Sequence, residues 1–175
     1  MRHNPYKIVK MFEETMADYC GSKYAVSADN CTDALLLCCE YLNVEEVTIP
    51  NRTYLSVPQS IMHAGGKVKF RDYRWKGIYQ LEPYPIYDAA KRLTSGMYIP
   101  GSFMCLSFHI KKHLKIGKGG MILTDRWNAY MSPEQAARGL MLMQNYPEHV
   151  EDIPEEPFYR DLREFDLFKD IEMTE

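Results

Sequence analysis

Four pieces of this sequence carry residue types that could do chemistry. Asp29-Asn30-Cys31-Thr32 lies between an apolar run and an amphipathic one. A helix starting there would offer free backbone N–H groups and the Thr32 hydroxyl to an anion. Taken alone, an ordinary N-cap at Asn30 or Thr32 is the simpler account. Asp88 ends the short run Ile86-Tyr87, and α/β proteins open their ligand crevices at the C-terminal ends of strands. Its carboxylate could pair with a protonated heteroaromatic nitrogen, or cap a helix beginning Ala89-Ala90-Lys91. Ser107 to His113 (SFHIKKH) sets two lysines just past another apolar run. Neighbouring positive charge lowers an amine's pKa, which suits a Schiff-base lysine, although an unsupported lysine is ordinarily part of a solvated basic loop. Gly117-Lys118-Gly119-Gly120 permits a tight reversal into the next strand. It has the spacing of neither a P-loop nor a dinucleotide fingerprint.

Other chemistries find little support. The histidines are His3, His63, His109, His113 and His149, and only His109 and His113 are four apart, so no metal site is expected. The five cysteines, Cys20, Cys31, Cys38, Cys39 and Cys105, lack paired C-x-x-C spacing and read as reduced thiols of a cytoplasmic protein. No Ser-His-Asp arrangement is legible.

These residues need a scaffold, and 175 residues with 46% apolar and 13% aromatic content can bury one domain's core. A net charge of −3 argues against a protein devoted to nucleic acid. No apolar run is long enough to span a membrane, and the first residues lack the apolar stretch of a secretory signal. Charge is uneven. Residues 1–125 hold 16 Lys and Arg against 12 Asp and Glu, while residues 126–175 hold 5 against 12. The basic part could bind an anion, and the acidic part reads as a tail or an interaction segment, the acidic tail covering residues 145–175.

Asn4-Pro5 should start a helix carrying Ile8, Met11, Phe12, Thr15 and Tyr19 on one face and closing at Gly21. Further helices are expected over Thr32–Leu42, Ser56–Ala64 and Pro133–Gln144, the last capped by Ser132, with one more possible around Tyr159–Lys169. Strands are expected at Tyr24–Ala28, Val47–Pro50, Val68–Phe70, Pro85–Tyr87, Phe103–Ser107 and Met121–Thr124. Their alternation with helices, and their unbroken apolar character, predict a three-layer α/β fold. In it a mostly parallel sheet has helices on both faces.

Taken in order, the pieces resemble the DegT/StrS-type sugar aminotransferases, a branch of the fold-type-I pyridoxal-phosphate enzymes. Phe12–Glu14 through Tyr24-Ala25-Val26 is similar to the family's opening helix and first strand. Asn30-Cys31-Thr32-Asp33-Ala34-Leu35 sits where the family has S-G-T-x-A-L, and Pro50–Tyr54 resembles P-x-x-T-[FYW]. Ala64 to Asp72 resembles A-G-x-x-x-x-F-x-D, Asp88-Ala89-Ala90 resembles D-A-A, and Ser107 to Lys112 resembles S-F-x-x-x-K. Gly117–Thr124 is similar to G-x-G-G-M-[IV]-x-T, and Met131–Leu140 to a later M-S-E-x-Q-A-A-x-G-L helix.

The resemblance implies a trimmed pyridoxal-phosphate-binding large domain over residues 1–144. In that reading Asn30, Cys31, Thr32 and Ser107 hold the phosphate, and Tyr54 stands near the ring. Asp88 pairs with the pyridine nitrogen, Lys91 lies beside the phenolic oxygen, and Lys112 bonds to the cofactor's aldehyde and moves the proton. It further implies an amino-acid donor, a nucleotide-linked keto sugar as substrate, and a homodimer. Against the family pattern, Cys31 replaces a glycine and Lys91 a Gln or similar residue. Only fifteen residues separate Asp72 from Asp88. The resemblance therefore implies a miniature lacking the C-terminal small domain. A non-catalytic relative, or a small anion- or nucleotide-binding protein using Lys111–Lys118, would keep part of the same pattern.

Overall fold

The computed structural model describes residues 6–126, 133–154 and 159–174. Asn4-Pro5, Met131 and the cap expected at Ser132 lie outside the described residues.

Helix α1 spans Lys7–Cys20, and its buried stripe is Val9, Phe12, Met16, Ala17 and Cys20. That face is rotated from the expected one, since Met11 is 47% exposed. Gly21 stops the helix in the left-handed region (φ 81°), its N–H donating to the Ala17 carbonyl. There follow β1 (Tyr24–Ala28), α2 (Cys31–Tyr41), β2 (Glu46–Pro50), α3 (Ser56–His63), β3 (Lys67–Arg71), β4 (Tyr79–Gln80), β5 (Ile86–Asp88), β6 (Phe103–Ser107), β7 (Gly120–Thr124) and α4 (Pro133–Met143). The strands and middle helices fall within a residue of their expected bounds. The two-residue β4 had no sequence signal, being too short to show a period.

The sheet runs β1-β7-β6-β5-β4, and β2-β3 form a parallel pair. Reciprocal hydrogen bonds between Thr48 and Glu82 tie β2 to the turn after β4. The expectation of a mostly parallel sheet needs correction: β1·β7, β6·β7 and β4·β5 are antiparallel, and only β5·β6 and β2·β3 are parallel. The cause is connection length. No helix lies between β6 and β7, where Phe108 N–H reaches the Gly119 carbonyl and Gly117 N–H the Phe108 carbonyl. Residues 81–85 likewise fold β4 directly onto β5, with Leu81 N–H donating to Ile86. Parallel neighbours need a crossover that these turns do not supply.

Both sheet faces are buried. Along β6, Phe103 and Cys105 face the cluster under α2 and α3, while Met104 and Leu106 face the one under α1 and α4. On β7, Ile122 points to the first cluster and Met121 and Leu123 to the second. This two-residue alternation between apolar faces explains why the strands read as unbroken apolar runs.

Residues 159–174 pack on the first cluster through Leu162 and Phe168, both fully buried. Instead of the α-helix expected near Tyr159–Lys169, a 3-10 turn spans Leu162–Glu164, capped by Asp161. Leu162, Phe165, Phe168 and Ile171 are three apart, and each of the last three donates its N–H to the carbonyl of the one before. That spacing keeps all four on one side only in i→i+3 turns. The segment finishes against β3, where Phe70 N–H donates to Glu172 and Thr174 N–H to Phe70.

Gly120 shows how tightly the scaffold is drawn together at the head of α2. A Cβ there would stand 2.3 Å from the Asn30 carbonyl carbon and 2.6 Å from the Cys31 nitrogen, both backbone atoms. Backbone cannot swing aside, so Gly120→Ala is expected to cost about 3 kcal/mol, a fall of roughly 6–12 °C in Tm. An unchanged melting curve would show that β7 does not press on the start of α2.

Candidate functional site

One cavity of about 610 Å³ opens where β5 and β6 end and α2 begins. Asn30, Cys31, Thr32, Tyr54, Asp88, Lys91, Ser107 and Lys112 all line it. The chain thus brings together eight residues spread over some eighty positions.

At one end stands the α2 N-terminus. Asn30 is its N-cap, its side-chain oxygen accepting from Asp33 N–H at 2.9 Å, and its amide donating to the Asp33 carboxylate at 2.6 Å. The simpler account of Asn30 is therefore correct, and the cap itself forms part of the cavity wall. The Thr32 hydroxyl lies 2.7 Å from that of Ser56, another lining residue. Cys31 turns its thiol toward the Cys105 carbonyl. Burial and the neighbouring Asp88 carboxylate push that thiol well above its ordinary pKa, so it stays protonated. Backbone N–H groups, hydroxyls and the positive end of a helix dipole make this end a site for an anion.

At the other end Asp88 is buried, and both its oxygens are held. Ala90 N–H donates to Oδ1 at 2.9 Å and the Tyr79 hydroxyl to Oδ2 at 2.8 Å. No helix follows Asp88, only a turn, so the carboxylate is no helix cap. Burial raises its pKa above the ordinary value. The two hydrogen bonds and the Lys112 and Lys91 ammonium groups act in the opposite direction. A buried carboxylate of this kind suits a cationic partner.

The third feature is the strap 108–117. A turn bond from Lys112 N–H to the His109 carbonyl shapes it. Lys111 is exposed and Lys112 half-buried, although both line the cavity. The Lys112 charge reaches both Asp88 and Cys31. His109 forms a β-bridge to Gly117 and His113 lies in a bend, neither on a helix, and among the described residues no group of three or more His, Cys, Asp or Glu could hold a metal. Tyr54 presents a ring that is 60% exposed at the cavity mouth. Lys91 is placed with its ammonium on the Pro154 carbonyl at 2.7 Å and over the Trp75 and Tyr159 rings.

Sequence reasoning missed several contributors. Thr53 and Tyr79 share a buried hydroxyl contact at 2.7 Å, which orients the Tyr79 hydroxyl toward Asp88. Trp75 packs edge-on against Tyr79 at 4.8 Å between centroids. Ser56 heads α3 beside Thr32. Tyr159 reaches the cavity from the C-terminal segment. The resemblance to P-x-x-T-[FYW] covers Thr53 without giving it a role, and no motif marked the others, which arrive through tertiary contact.

The donor set fits a ligand with an anionic group at α2 and a cationic ring nitrogen at Asp88. An amine at Lys112 stands within electrostatic reach of that carboxylate. Among the described residues no helix is long and apolar enough to cross a membrane.

The chain is similar to several known proteins. The chain is 33% identical over 116 residues to the UDP-2-acetamido-2-deoxy-3-oxo-D-glucuronate aminotransferase of Pseudomonas aeruginosa, covering 62% of this chain and 32% of that protein. It is 34% identical over 62 residues to the GDP-perosamine synthase of Caulobacter vibrioides, covering 34% and 17% of the two. Among solved structures it is similar to DesI, crystallised in the presence of its TDP-sugar product, with a TM-score of 0.66 and 20% identity over 81% of this chain and 54% of that one. The chain spans less than half the length of the curated relatives it matches. The family model for the DegT/DnrJ/EryC1/StrS aminotransferases matches residues 2–99, a stretch holding Asn30, Cys31, Thr32, Tyr54, Asp88 and Lys91 and ending before Ser107 and Lys112. With more than half of its length so matched, the chain belongs to the DegT/DnrJ/EryC1/StrS aminotransferase family.

Proposed function

We propose that this protein binds pyridoxal 5'-phosphate and transfers an amino group from an amino acid to a nucleotide-linked keto sugar. The observation that carries the reading is the single cavity shared by the α2 N-terminus, buried Asp88, Ser107 and Lys112. Cys31 and Thr32 N–H groups with the Thr32 and Ser107 hydroxyls would hold the phosphate, beside the cap Asn30. Asp88, held by Tyr79 and Ala90, would keep the ring nitrogen protonated. Tyr54 would cover the ring. When bound, the cofactor supplies the electron sink that makes a substrate Cα–H bond acidic. Lys112 would anchor the cofactor and carry the proton at Cα. Nucleotide sugars are the substrate class because relatives of similar sequence bear such names.

The exposed Tyr54, Leu55 and Ile110 form apolar surface on segments at the cavity mouth, and they support a homodimer in which a second copy covers it. A sedimentation mass near 20.5 kDa at micromolar concentration would reject the dimer. The five free cysteines support a cytoplasmic location.

The activity test mixes purified protein with pyridoxal phosphate, glutamate and a 3-keto or 4-keto nucleotide sugar. The loaded protein should be yellow, absorbing at about 410–430 nm, and should turn over at about 1 per second or faster. Protein that takes up the cofactor without transferring nitrogen would be a non-catalytic relative. Protein that takes up none would overturn the reading.

A further inference from the structure

Lys91 is 2% exposed, and it is one of the largest fully buried side chains in the molecule. A buried ammonium is costly unless the fold surrounds it with acceptors and charge. Here two of the described contacts come from the C-terminal segment. Its Nζ donates to the Pro154 carbonyl at 2.7 Å and lies 4.9 Å from the centroid of the Tyr159 ring. The Trp75 ring stands on another side at 5.7 Å, and the Asp88 carboxylate feels the charge. The Lys91 backbone takes part as well, its carbonyl accepting from Ile153 N–H at 2.9 Å.

The neighbouring residues repeat the attachment. Arg92 grips Asp152 through three N–H···O contacts of 2.7–3.2 Å. His113, next to Lys112, meets the Glu151 carbonyl at 2.9 Å. Farther on, Leu162 N–H donates to Asn51, and Asp161 accepts from the Asn51 amide. The C-terminal segment is therefore fastened on both sides of Tyr159, and Tyr159 shares the cavity with Asp88 and Lys112.

We propose that Lys91 is a positioning residue that fastens the C-terminal segment to the site, and that Tyr159, held in this way, is a wall against which bound pyridoxal phosphate is retained. The inference rests on the cofactor reading above and deepens it. It gives residues 145–154 and 159–174 a part in binding, and gives Lys91 a role in setting the shape of the site.

The experiment titrates pyridoxal phosphate into the wild-type protein and into Lys91→Met, Lys91→Arg, Tyr159→Ala and Tyr159→Phe. Dissociation constants are followed by absorbance, and hydrogen exchange is measured at the Ile153 and Leu162 amides. Methionine keeps the length of the side chain without the charge, so the core stays filled. Lys91→Met and Tyr159→Ala should each weaken cofactor binding about tenfold, which is about 1.4 kcal/mol. Lys91→Met should also speed exchange at Ile153 about tenfold or more. Lys91→Arg and Tyr159→Phe, which keep the cation and the ring, should stay within about threefold of wild type. If Lys91→Met lowers Tm but leaves the dissociation constant within twofold, Lys91 is only structural and the proposal is overturned. The same holds if Tyr159→Ala binds the cofactor as wild type does. Wild-type protein that takes up no cofactor would instead overturn the functional reading itself.

Discussion

Lys112→Ala is expected to abolish covalent attachment of the cofactor and to lower transamination by at least about a thousandfold, within the range for loss of a positioned acid–base group. Lys111 and Lys112 both line the cavity, but Lys111 is exposed and Lys112 is half-buried, with its charge reaching Asp88 and Cys31. The turn bond from Lys112 N–H to His109 and the bridge between Phe108 and Gly117 fix the register of the strap. Borohydride reduction of cofactor-loaded protein, followed by peptide mapping, should place the adduct on Lys112. An adduct on Lys111, or none in protein soaked with cofactor, would remove the assignment. Lys111→Ala serves as the control and should keep both the adduct and the rate within a few-fold.

Asp88→Asn is the second large effect. The amide matches the carboxylate in size and can still accept from Tyr79 or Ala90, so the fold should survive. The charge that would face the ring nitrogen of the proposed cofactor is lost. Removing one partner of a buried, hydrogen-bonded charge pair costs about 2–5 kcal/mol, or about thirtyfold or more in affinity.

The pH dependence carries a separate signature. Burial holds the Asp88 carboxyl above its ordinary pKa in the cofactor-free protein. An acid whose pKa is raised by folding makes the protein lose stability as pH rises from the ordinary value through the raised one. A cationic ring reverses the preference, because it favours the ionised carboxylate. Cofactor affinity in the wild type should therefore fall as pH drops through the raised Asp88 value, and Asp88→Asn should lack that limb. Fluorescence titration at a series of pH values reads both. A variant with the wild-type affinity and the same acid limb would show that Asp88 does not face the ring.

Much of this was written in local residue order. Tyr24–Ala28 and Phe103–Ser107 are strands at the bounds their apolar runs indicate, and α1 ends at Gly21 because that residue accepts a left-handed φ. The resemblance carried by the ordered motifs from Phe12 to Thr124 implied one site for Asn30, Cys31, Thr32, Tyr54, Asp88, Lys91, Ser107 and Lys112, and all eight line one cavity. Motifs are legible because turns and strand ends need particular residues at particular spacings, and those needs are short-range.

What the sequence could not convey depends on contacts between distant segments. The direction of β4 and β7 follows from how short connections fold back, and apolar runs carry no sign of strand direction. Tyr79 and Thr53 orient Asp88 across a strand pair too short to show periodicity. The acidic composition of residues 145–175 pointed to a tail or an interaction segment, and Leu162 and Phe168 enter the core at a three-residue spacing that suits 3-10 turns. The side chain of Lys91 lines the cavity and also bonds to Pro154 and lies over Tyr159. A buried ammonium takes whatever acceptors the tertiary fold delivers to it. Those acceptors lie more than sixty residues away in the chain, beyond the reach of any local pattern.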